Sequence, residues 1–314
     1  MRPIRFVSRN INIPFVPWRR VAFMLSILLV LGSIGSFASL GLNFGIDFKG
    51  GILMEVRTPT AADIPGLRDN LGKLGLGEVS LQSFGSETDV LIRIQRQEGA
   101  EKEQMTAIEV VKQALGAGVE YRRTEFVGPT VGAELIEAGM LAVGLALLSI
   151  MFYIWVRFEW QFGLGAVVAL SHDIATTIGL FALIQHEFNL ATVAAVLTIA
   201  GYSINDTVVV YDRVRENLRK FKKMDLVDVF NKSINETLSR TLMTSVTTLL
   251  ALLAIFLFGG EVMADFALAM IWGVCIGTYS SIFIAVPLLL YIGVQRGDED
   301  SGVGVPENER QLEG

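Results

Sequence analysis

Long apolar runs alternate with short polar connections along most of this chain. A helix needs about 18 to 20 apolar residues to cross the hydrocarbon core of a bilayer, and runs of this kind lie at 21–41, 135–156, 161–184, 190–211, 241–258 and 266–293. The pattern therefore predicts a polytopic α-helical membrane protein with six transmembrane helices. Arg19 and Arg20 precede the first run, as in a cleavable signal peptide, but its apolar stretch is too long for a signal core. We interpret it as a permanent span.

The segment between the first two runs follows a different pattern. Alternating apolar and polar residues are typical of strands, and they occur at 52–58, 79–84, 90–95 and 119–127. Helical spacing occurs at 63–74 and 101–115, where Asp63 is a suitable helix start and Gly75 and Gly116 are suitable ends. The order βαββαβ predicts one α+β domain of the split ferredoxin-like kind between transmembrane helices 1 and 2.

Lys and Arg near the span ends predict the orientation, because cytoplasmic loops retain positive charge. The segments 1–20 and 212–240 are rich in Lys and Arg, whereas the connections 185–189 and 259–265 contain neither. Both termini, the loop 212–240 and the acidic tail 294–314 are therefore predicted to be cytoplasmic. The domain with its junctions, 42–132, is predicted to be periplasmic, and the remaining five spans form a bundle over 133–293.

Composition agrees with a membrane protein. Of the 314 residues, 52% are hydrophobic and 18% charged, and the mean hydropathy of +0.50 is too high for an ordinary soluble domain. The net charge of −6 gives no indication of nucleic-acid binding. Cys275 is the single cysteine, so a disulfide framework and a multi-cysteine metal site are excluded. Because Cys275 lies in an apolar run, we interpret it as a buried packing residue.

An ionisable side chain within an apolar span is costly and therefore indicates a functional pathway. Asp206 is such a residue in the fourth span, and Asn205 and Tyr202 lie beside it and one turn before it. Arg240 opens the fifth span and is permanently charged, so it could pair with Asp206 in one helix arrangement and release it in another. We predict that Asp206 and Arg240 form a proton-coupling pair. The alternative for Arg240 is a charge that only sets the topology at the membrane surface.

His172 and Asp173 form a second intramembrane polar pair, in the third span. Adjacent residues of a helix point roughly 100° apart, so we expect one to face the pathway and the other to contact a neighbouring helix. Hydrogen bonding between packed helices is the role we favour for both, and a place on the proton pathway is the alternative. Gly273 and Gly277 have the small-xxx-small spacing that predicts close helix packing.

Four further motifs occur in order along the chain. FGIDFKGG at 44–51 leads out of the first span, and VGPTVG at 127–132 leads back into the second. GYSIND at 201–206 contains the intramembrane Asp, and DRVREN at 212–217 follows it. Paired glycines permit a tight turn from the membrane into the first strand. The junction residues are Gly45, Asp47, Gly50, Gly51, Gly128, Pro129 and Gly132.

With these motifs, the chain from about Arg19 to Tyr291 resembles the SecD/SecF family of bacterial protein-export subunits, on its SecF side. It is more distantly similar to the proton-driven resistance-nodulation-division exporters. The resemblance implies a half-bundle that SecD completes in the bacterial inner membrane, as a chain separate from SecD. It also implies a role with the SecYEG channel, YajC and membrane lipid in moving a translocating preprotein. Asp206 and Arg240 match functional positions of the family, with the proton as coupling ion and no other cofactor.

Other functions remain open from the sequence. The same helical bundle could belong to a proton-coupled exporter of small molecules or to a nonenzymatic scaffold of the translocon. An intramembrane aspartyl protease would need two carboxylates at one site. Tyr211-Asp212 resembles one half of such a site, but Gly163-Leu164-Gly165-Ala166 lacks the Asp of the other half. We therefore expect no enzymatic activity, and no spacing typical of metal ligands is present.

Overall fold

A computed structural model of the chain describes residues 12–294, apart from 78, 84, 85, 98, 100, 128 and 260. Among these residues, six helical segments are long and apolar enough to cross a membrane, and they are Val16–Leu40, Glu134–Arg157, Trp160–Ile184, Leu190–Lys220, Leu226–Phe258 and Met263–Ile292. The prediction of a polytopic helical membrane protein is confirmed.

The helices have the following bounds. In chain order they are α1 (Arg19–Leu40), α2 (Ile46–Lys49), α3 (Ile64–Gly72), α4 (Glu101–Leu115), α5 (Pro129–Arg157), α6 (Trp160–Ile184), α7 (Leu190–Lys220), α8 (Leu226–Phe258), α9 (Glu261–Ser280) and α10 (Val286–Ile292). A 3₁₀ turn, Val16–Trp18, precedes α1. A π-helical turn, Ser281–Ala285, joins α9 and α10 into one span.

The middle of the bundle is formed by α6, α7 and α9, which contact one another, while α8 packs on α7 and α9 and α1 packs on α6. Glycines allow the close approach of α9 to α7. A Cβ at Gly273 would collide with Ile199, and one at Gly277 would lie 3.2 Å from Ser203. The predicted role of this glycine spacing in helix packing is confirmed. α1 and α5 keep many apolar side chains exposed on the outside of the bundle.

The strands are β1 (Asn43–Phe44), β2 (Gly51–Arg57), β3 (Val79–Ser83), β4 (Asp89–Ile94), β5 (Glu120–Val127) and β6 (Glu187–Phe188). The segment between α1 and α5 contains a four-stranded antiparallel sheet in the order β3-β4-β2-β5. With α3 and α4 inserted after β2 and β4, the element order is βαββαβ, as predicted. The strand and helix bounds differ from the prediction by at most two residues.

The two faces of this sheet have different partners. Alternate residues of β2 and β4, such as Met54 and Ile92, pack under α3 and α4. Leu53 and Leu91 point to the other face and pack with Ile46 of α2. This second face turns towards the membrane bundle, since both leucines line a small cavity with Leu190 of α7. We call this end of the bundle the domain end and the opposite end the far end.

Two sequence interpretations are wrong in structural detail. The predicted loop 212–240 is helical except for 221–225, because α7 continues to Lys220 and α8 begins at Leu226. The polar residues of this segment pair across the two helices, as in the 2.7 Å hydrogen bond from Arg213 to Glu236. Because the segment contains many charged residues, the helical period could not be recognised in its sequence. Cys275 is exposed on the bundle surface, not buried.

An acid-sensitive ion pair lies in the α+β domain. The guanidinium of Arg57 donates two hydrogen bonds to Asp89, of 2.7 and 3.0 Å, and these lower the pKa of Asp89 to about 2. The folded pKa is thus below the value of ~3.9 for an unfolded Asp. The pair contributes its full stabilisation above about pH 4 and loses it as the pH falls towards 2.

We therefore expect the protection of β2 and β4 amides from hydrogen exchange to fall between about pH 4.5 and about pH 2.5, after correction for intrinsic exchange rates. Asp89→Asn should lower protection already at the higher pH and remove the further fall. Asp69→Asn, at an exposed pair with Lys73, is the control and should behave as the wild type. An Asp89→Asn profile identical to that of the wild type would contradict this assignment.

Candidate functional site

Asp206 lies near the midpoint of α7 and is only 8% exposed. The Thr241 hydroxyl, on α8, donates a 2.7 Å hydrogen bond to its Oδ1 atom. Oδ2 is buried and no described residue meets it with hydrogen-bond geometry, although the nearby Ser281 side chain acts on the carboxyl in the manner of a hydrogen-bond donor. Asp206 is therefore a buried carboxyl with one oxygen held and one oxygen unmatched.

Arg240 does not form a direct ion pair with Asp206 among the described residues. Its side chain is exposed at the bundle surface, and its charge acts on the Asp206 carboxyl only through space. The structure thus places the predicted partners on facing helices, and the hydroxyl of Thr241, next to Arg240, makes the contact with Asp206.

Asp173 is fully buried and joins three helices. Its Oδ2 atom accepts hydrogen bonds from Ser203 of α7, at 2.6 Å, and Ser280 of α9, at 2.7 Å. Its Oδ1 atom lies 3.0 Å from Nδ1 of His172. Each oxygen therefore has a partner, unlike those of Asp206. A buried carboxyl with three polar partners holds α6, α7 and α9 in a fixed register.

The expectation that His172 and Asp173 face different surroundings is wrong. Their side chains meet, since the His172 ring turns back along α6 and directs Nδ1 at the Asp173 carboxyl. Nε2 of His172 is buried and has no partner among the described residues. The prediction considered only the rotation between successive Cα positions, which separates the two residues. In the structure the longer His172 side chain reaches the Asp173 carboxyl.

The π-helical turn brings two adjacent hydroxyls into the bundle. Ser280 faces Asp173, and the next residue, Ser281, lies 2.9 Å from the Thr207 hydroxyl of α7. A π turn widens the helix by one residue and frees a carbonyl. Here the Tyr211 hydroxyl donates a 3.1 Å hydrogen bond to the carbonyl oxygen of Ala285. We define the intramembrane polar cluster as Asp173, Ser203, Asp206, Thr207, Thr241, Ser280 and Ser281. The run of hydroxyl residues at 278–281 was its sequence signal.

Tyr202 and Asn205 lie outside this cluster. The Tyr202 hydroxyl donates a 3.4 Å bond to Ser245, which in turn lies 2.7 Å from Thr278. Asn205 is exposed on the surface of α7. Asp212 forms an ion pair with Arg157 at the far end and is not part of the intramembrane polar cluster. Among the described residues, no group of three or more His, Cys, Asp or Glu is arranged to hold a metal ion.

The outgoing junction is a one-turn helix between glycines. Gly50 and Gly51 have φ values of +72° and +127°, which allows the chain to turn from α2 into β2 as predicted. Asp47 accepts a 2.9 Å hydrogen bond from the Leu190 backbone N–H at the start of α7. Of the returning junction, Gly128 lies outside the described residues. Pro129 and Gly132 belong to the first turns of α5 and not to a separate connection.

Several contacts at the domain end were not predicted. β1 pairs in parallel with β6, which places the outgoing junction beside the α6–α7 connection. Arg93 of β4 forms an ion pair with Glu187 of β6. Asp265 of α9 lies 2.7 Å from Nε2 of His186 and accepts a 2.6 Å bond from Asn189. A two-residue strand is too short to show an alternating pattern in the sequence. Only the polar residues near 186–189 could have indicated these contacts.

Comparison with known proteins gives one consistent family. Residues 107–295 match the model of the SecD/SecF C-terminal region of protein export membrane proteins. Residues 35–59 match the SecD/SecF GG motif, which includes Gly50 and Gly51. A protein translocase subunit SecF from Rickettsia rickettsii is 50% identical over 294 residues, covering 91% of this chain and 94% of the relative.

Solved structures of SecDF are also similar. The crystal structure of SecDF from Thermus thermophilus, described as a translocon-associated membrane protein, has a TM-score of 0.80 and 34% identity over 92% of this chain. A second SecDF structure, in a super-membrane-facing form, has a TM-score of 0.63 and 32% identity over 93%. This chain spans 39% of the first SecDF chain and 40% of the second.

The Asp173 contacts predict a large loss of stability on truncation. Asp173→Ala leaves the hydroxyls of Ser203 and Ser280 without their acceptor, and we expect a cost of about 2 to 3 kcal/mol. Thermal unfolding of the purified chain in detergent measures it. Asn205→Ala, which changes an exposed residue of α7, is the control and should unfold as the wild type. Equal melting temperatures for Asp173→Ala and the wild type would contradict the assigned role.

The backbone of Gly51 gives a second prediction. A Cβ there would lie 2.7 Å from the Ile94 carbonyl oxygen, at a φ that other residues rarely adopt. Gly51→Ala should therefore destabilise the α+β domain by about 1 to 3 kcal/mol. Pulse proteolysis in urea on the intact chain measures the change. Gly72→Ala, at a helical position with open space, should be neutral or stabilising, and a similar loss in both variants would show that the strain is not specific to Gly51.

Proposed function

This chain belongs to the SecD/SecF family, and we propose that it is a SecF-type translocase subunit that couples proton movement to late-stage export of unfolded preproteins. The single observation that carries the coupling is the state of Asp206. It lies near the midpoint of α7, buried, with one oxygen held by Thr241 and the other unmatched. A carboxyl in such surroundings is the expected place for a proton to bind and leave.

Protonation of Asp206 would change the hydrogen bonds that its carboxyl needs. An ionised carboxylate only accepts hydrogen bonds, whereas a protonated carboxyl can also donate one. The Thr241 hydroxyl donates to Oδ1 in this structure, so we place the proton on Oδ2, which then becomes a donor that needs an acceptor from a neighbouring helix. Asp173 has partners for both oxygens and ties α7 to α6 and α9, so these three helices move together relative to α8.

A structural route leads from Asp206 to the α+β domain. Both ends of the route involve α7: Asp206 lies at its middle, and Asp47 binds the backbone N–H of its first residue, Leu190. The pair Arg93 and Glu187 adds a direct contact between the sheet and the connection before α7. A shift of α7 would therefore change the placement of the sheet, which we propose lies in the periplasm and acts on the emerging preprotein.

The proposal includes partners that complete the bundle. We infer that SecD supplies the second half, because this chain corresponds to about two-fifths of a SecDF chain. We further propose that the pair works with the SecYEG channel and YajC in the inner membrane, with both termini of this chain cytoplasmic. A small-molecule exporter is less well supported, since the cavity between sheet and bundle is only about 140 Å³, below the usual 300 to 1,000 Å³ of ligand pockets.

The test is export of a slow reporter protein into membrane vesicles that contain SecD and the channel, with and without a proton gradient. We expect Asp206→Asn to remove the gradient-dependent part of export while assembly with SecD persists, because the amide cannot exchange the proton. Arg240→Met should reduce the same part, since its charge acts on Asp206. Asn205→Ala, which changes the preceding residue on the exposed side of α7, is the matched control.

The opposite result has a definite meaning. If Asp206→Asn exports with unchanged gradient dependence, the coupling role of Asp206 fails. The chain would then be a scaffold in which Asp206 only holds α7 against α8.

A further inference from the structure

A groove runs along the outside of the bundle between α1, α6 and α10. Its volume is about 630 Å³ and its walls are mainly apolar, with Phe23, Ile27 and Leu31 from α1 and Val168 from α6. Ile27 and Leu31 are both 59% exposed, so the groove opens to the surroundings of the bundle. A cavity of this size and character is in the range of sites that bind an apolar ligand.

The groove has a polar end and an apolar end. Residues 20, 23, 27 and 31 follow each other at intervals of three or four along α1 and therefore share one face. Arg20 is thus one turn beyond Phe23, at the far end, and is exposed. The part of the chain that the structure describes offers it no ion pair or hydrogen bond. Trp18 and Tyr291 are also exposed there, by 62% and 58%, and Tyr291 packs on Phe23 at 5.6 Å between ring centroids.

These residues have the arrangement of a membrane interface. Exposed Trp and Tyr side chains collect at the level of lipid headgroups, and a cation at that level attracts the phosphate of an anionic lipid. From Arg20 to Leu31, α1 rises about 16 Å, or 11 residue steps of about 1.5 Å. That length is close to half of the roughly 30 Å hydrocarbon core, which is the reach of one acyl chain in one leaflet.

We propose that this groove is a binding site for one anionic phospholipid. Its phosphate contacts Arg20 beside Trp18 and Tyr291, and one acyl chain lies along Phe23, Ile27 and Leu31. The deep end of the groove is lined by Ser171 and His172, so the end of the acyl chain covers the outer side of the His172 and Asp173 pair. The lipid thereby seals this pair from the membrane side. This site is independent of the proposed export function.

Native mass spectrometry of the purified full-length chain tests the proposal, with phosphatidylglycerol and phosphatidylcholine of identical acyl chains as probes. We expect one phosphatidylglycerol to remain bound under conditions that remove phosphatidylcholine. Arg20→Gln should reduce its retention about fivefold, the factor expected for one cation near a lipid surface. Arg219→Gln removes an exposed far-end cation of α7, away from the groove, and should leave retention unchanged.

Variants that fill the groove distinguish binding at this site from a general attraction of lipid to positive charge. Val168→Trp and Ile27→Trp each place a large side chain in the groove and should abolish retention of phosphatidylglycerol. Leu28→Trp changes an α1 residue that is 61% exposed and outside the groove, and it should bind as the wild type. Two fillers are used so that a folding defect in one, seen by circular dichroism, does not decide the result.

Three outcomes would overturn the proposal. The first is equal retention of the two lipids by the wild type, and the second is unchanged retention in a folded groove-filling variant. The third is an equal loss in Arg20→Gln and Arg219→Gln, which would indicate nonspecific attraction by the far-end charge.

Discussion

The architecture depends on one constraint: a polar group inside the hydrocarbon region must find its partner within the protein. Asp173 meets this constraint completely, with Ser203, Ser280 and His172 around a carboxyl that has no solvent exposure. Because these partners come from three spans, α6, α7 and α9 cannot separate or slide without exposing a charge or an unpaired hydroxyl. The glycines of α9 then make the close approach possible, but the carboxyl decides the register.

The two intramembrane carboxyls illustrate opposite ways of using the same chemistry. Asp173 has partners on both oxygens, whereas Asp206 has one oxygen bonded and one unmatched. The π turn lies between them and serves both, since Ser280 faces Asp173 and Ser281 faces Thr207, next to Asp206. Successive helical side chains point about 100° apart, and Ser280 and Ser281 accordingly reach two different partners, Asp173 and Thr207.

The sequence was informative where a periodic pattern covers many residues. Six apolar runs and the βαββαβ order were predicted, because continuous apolar composition marks each span and periodic burial marks each element of the α+β domain. The ends of α7 and α8 were missed because Arg213, Asn217 and Glu236 bond with each other and look like loop residues in isolation. The contact of His172 with Asp173 depends on a side-chain rotamer, and the role of Ser281 depends on a π turn. Neither of these features produces a periodic pattern in the sequence, so neither could be predicted from it.

The short pairing of β1 with β6 has a mechanical consequence. The linker from α1 to the sheet is attached to the bundle by this pairing, by the bond of Asp47 to Leu190 and by the Asn43 side chain on the Gln185 carbonyl. A linker without attachments would absorb tension on the sheet by straightening. This linker cannot do so, because its attachments to the bundle lie within about ten residues of each other. Tension applied to the sheet is therefore transmitted to the first turn of α7, and from there along the helix to its midpoint at Asp206.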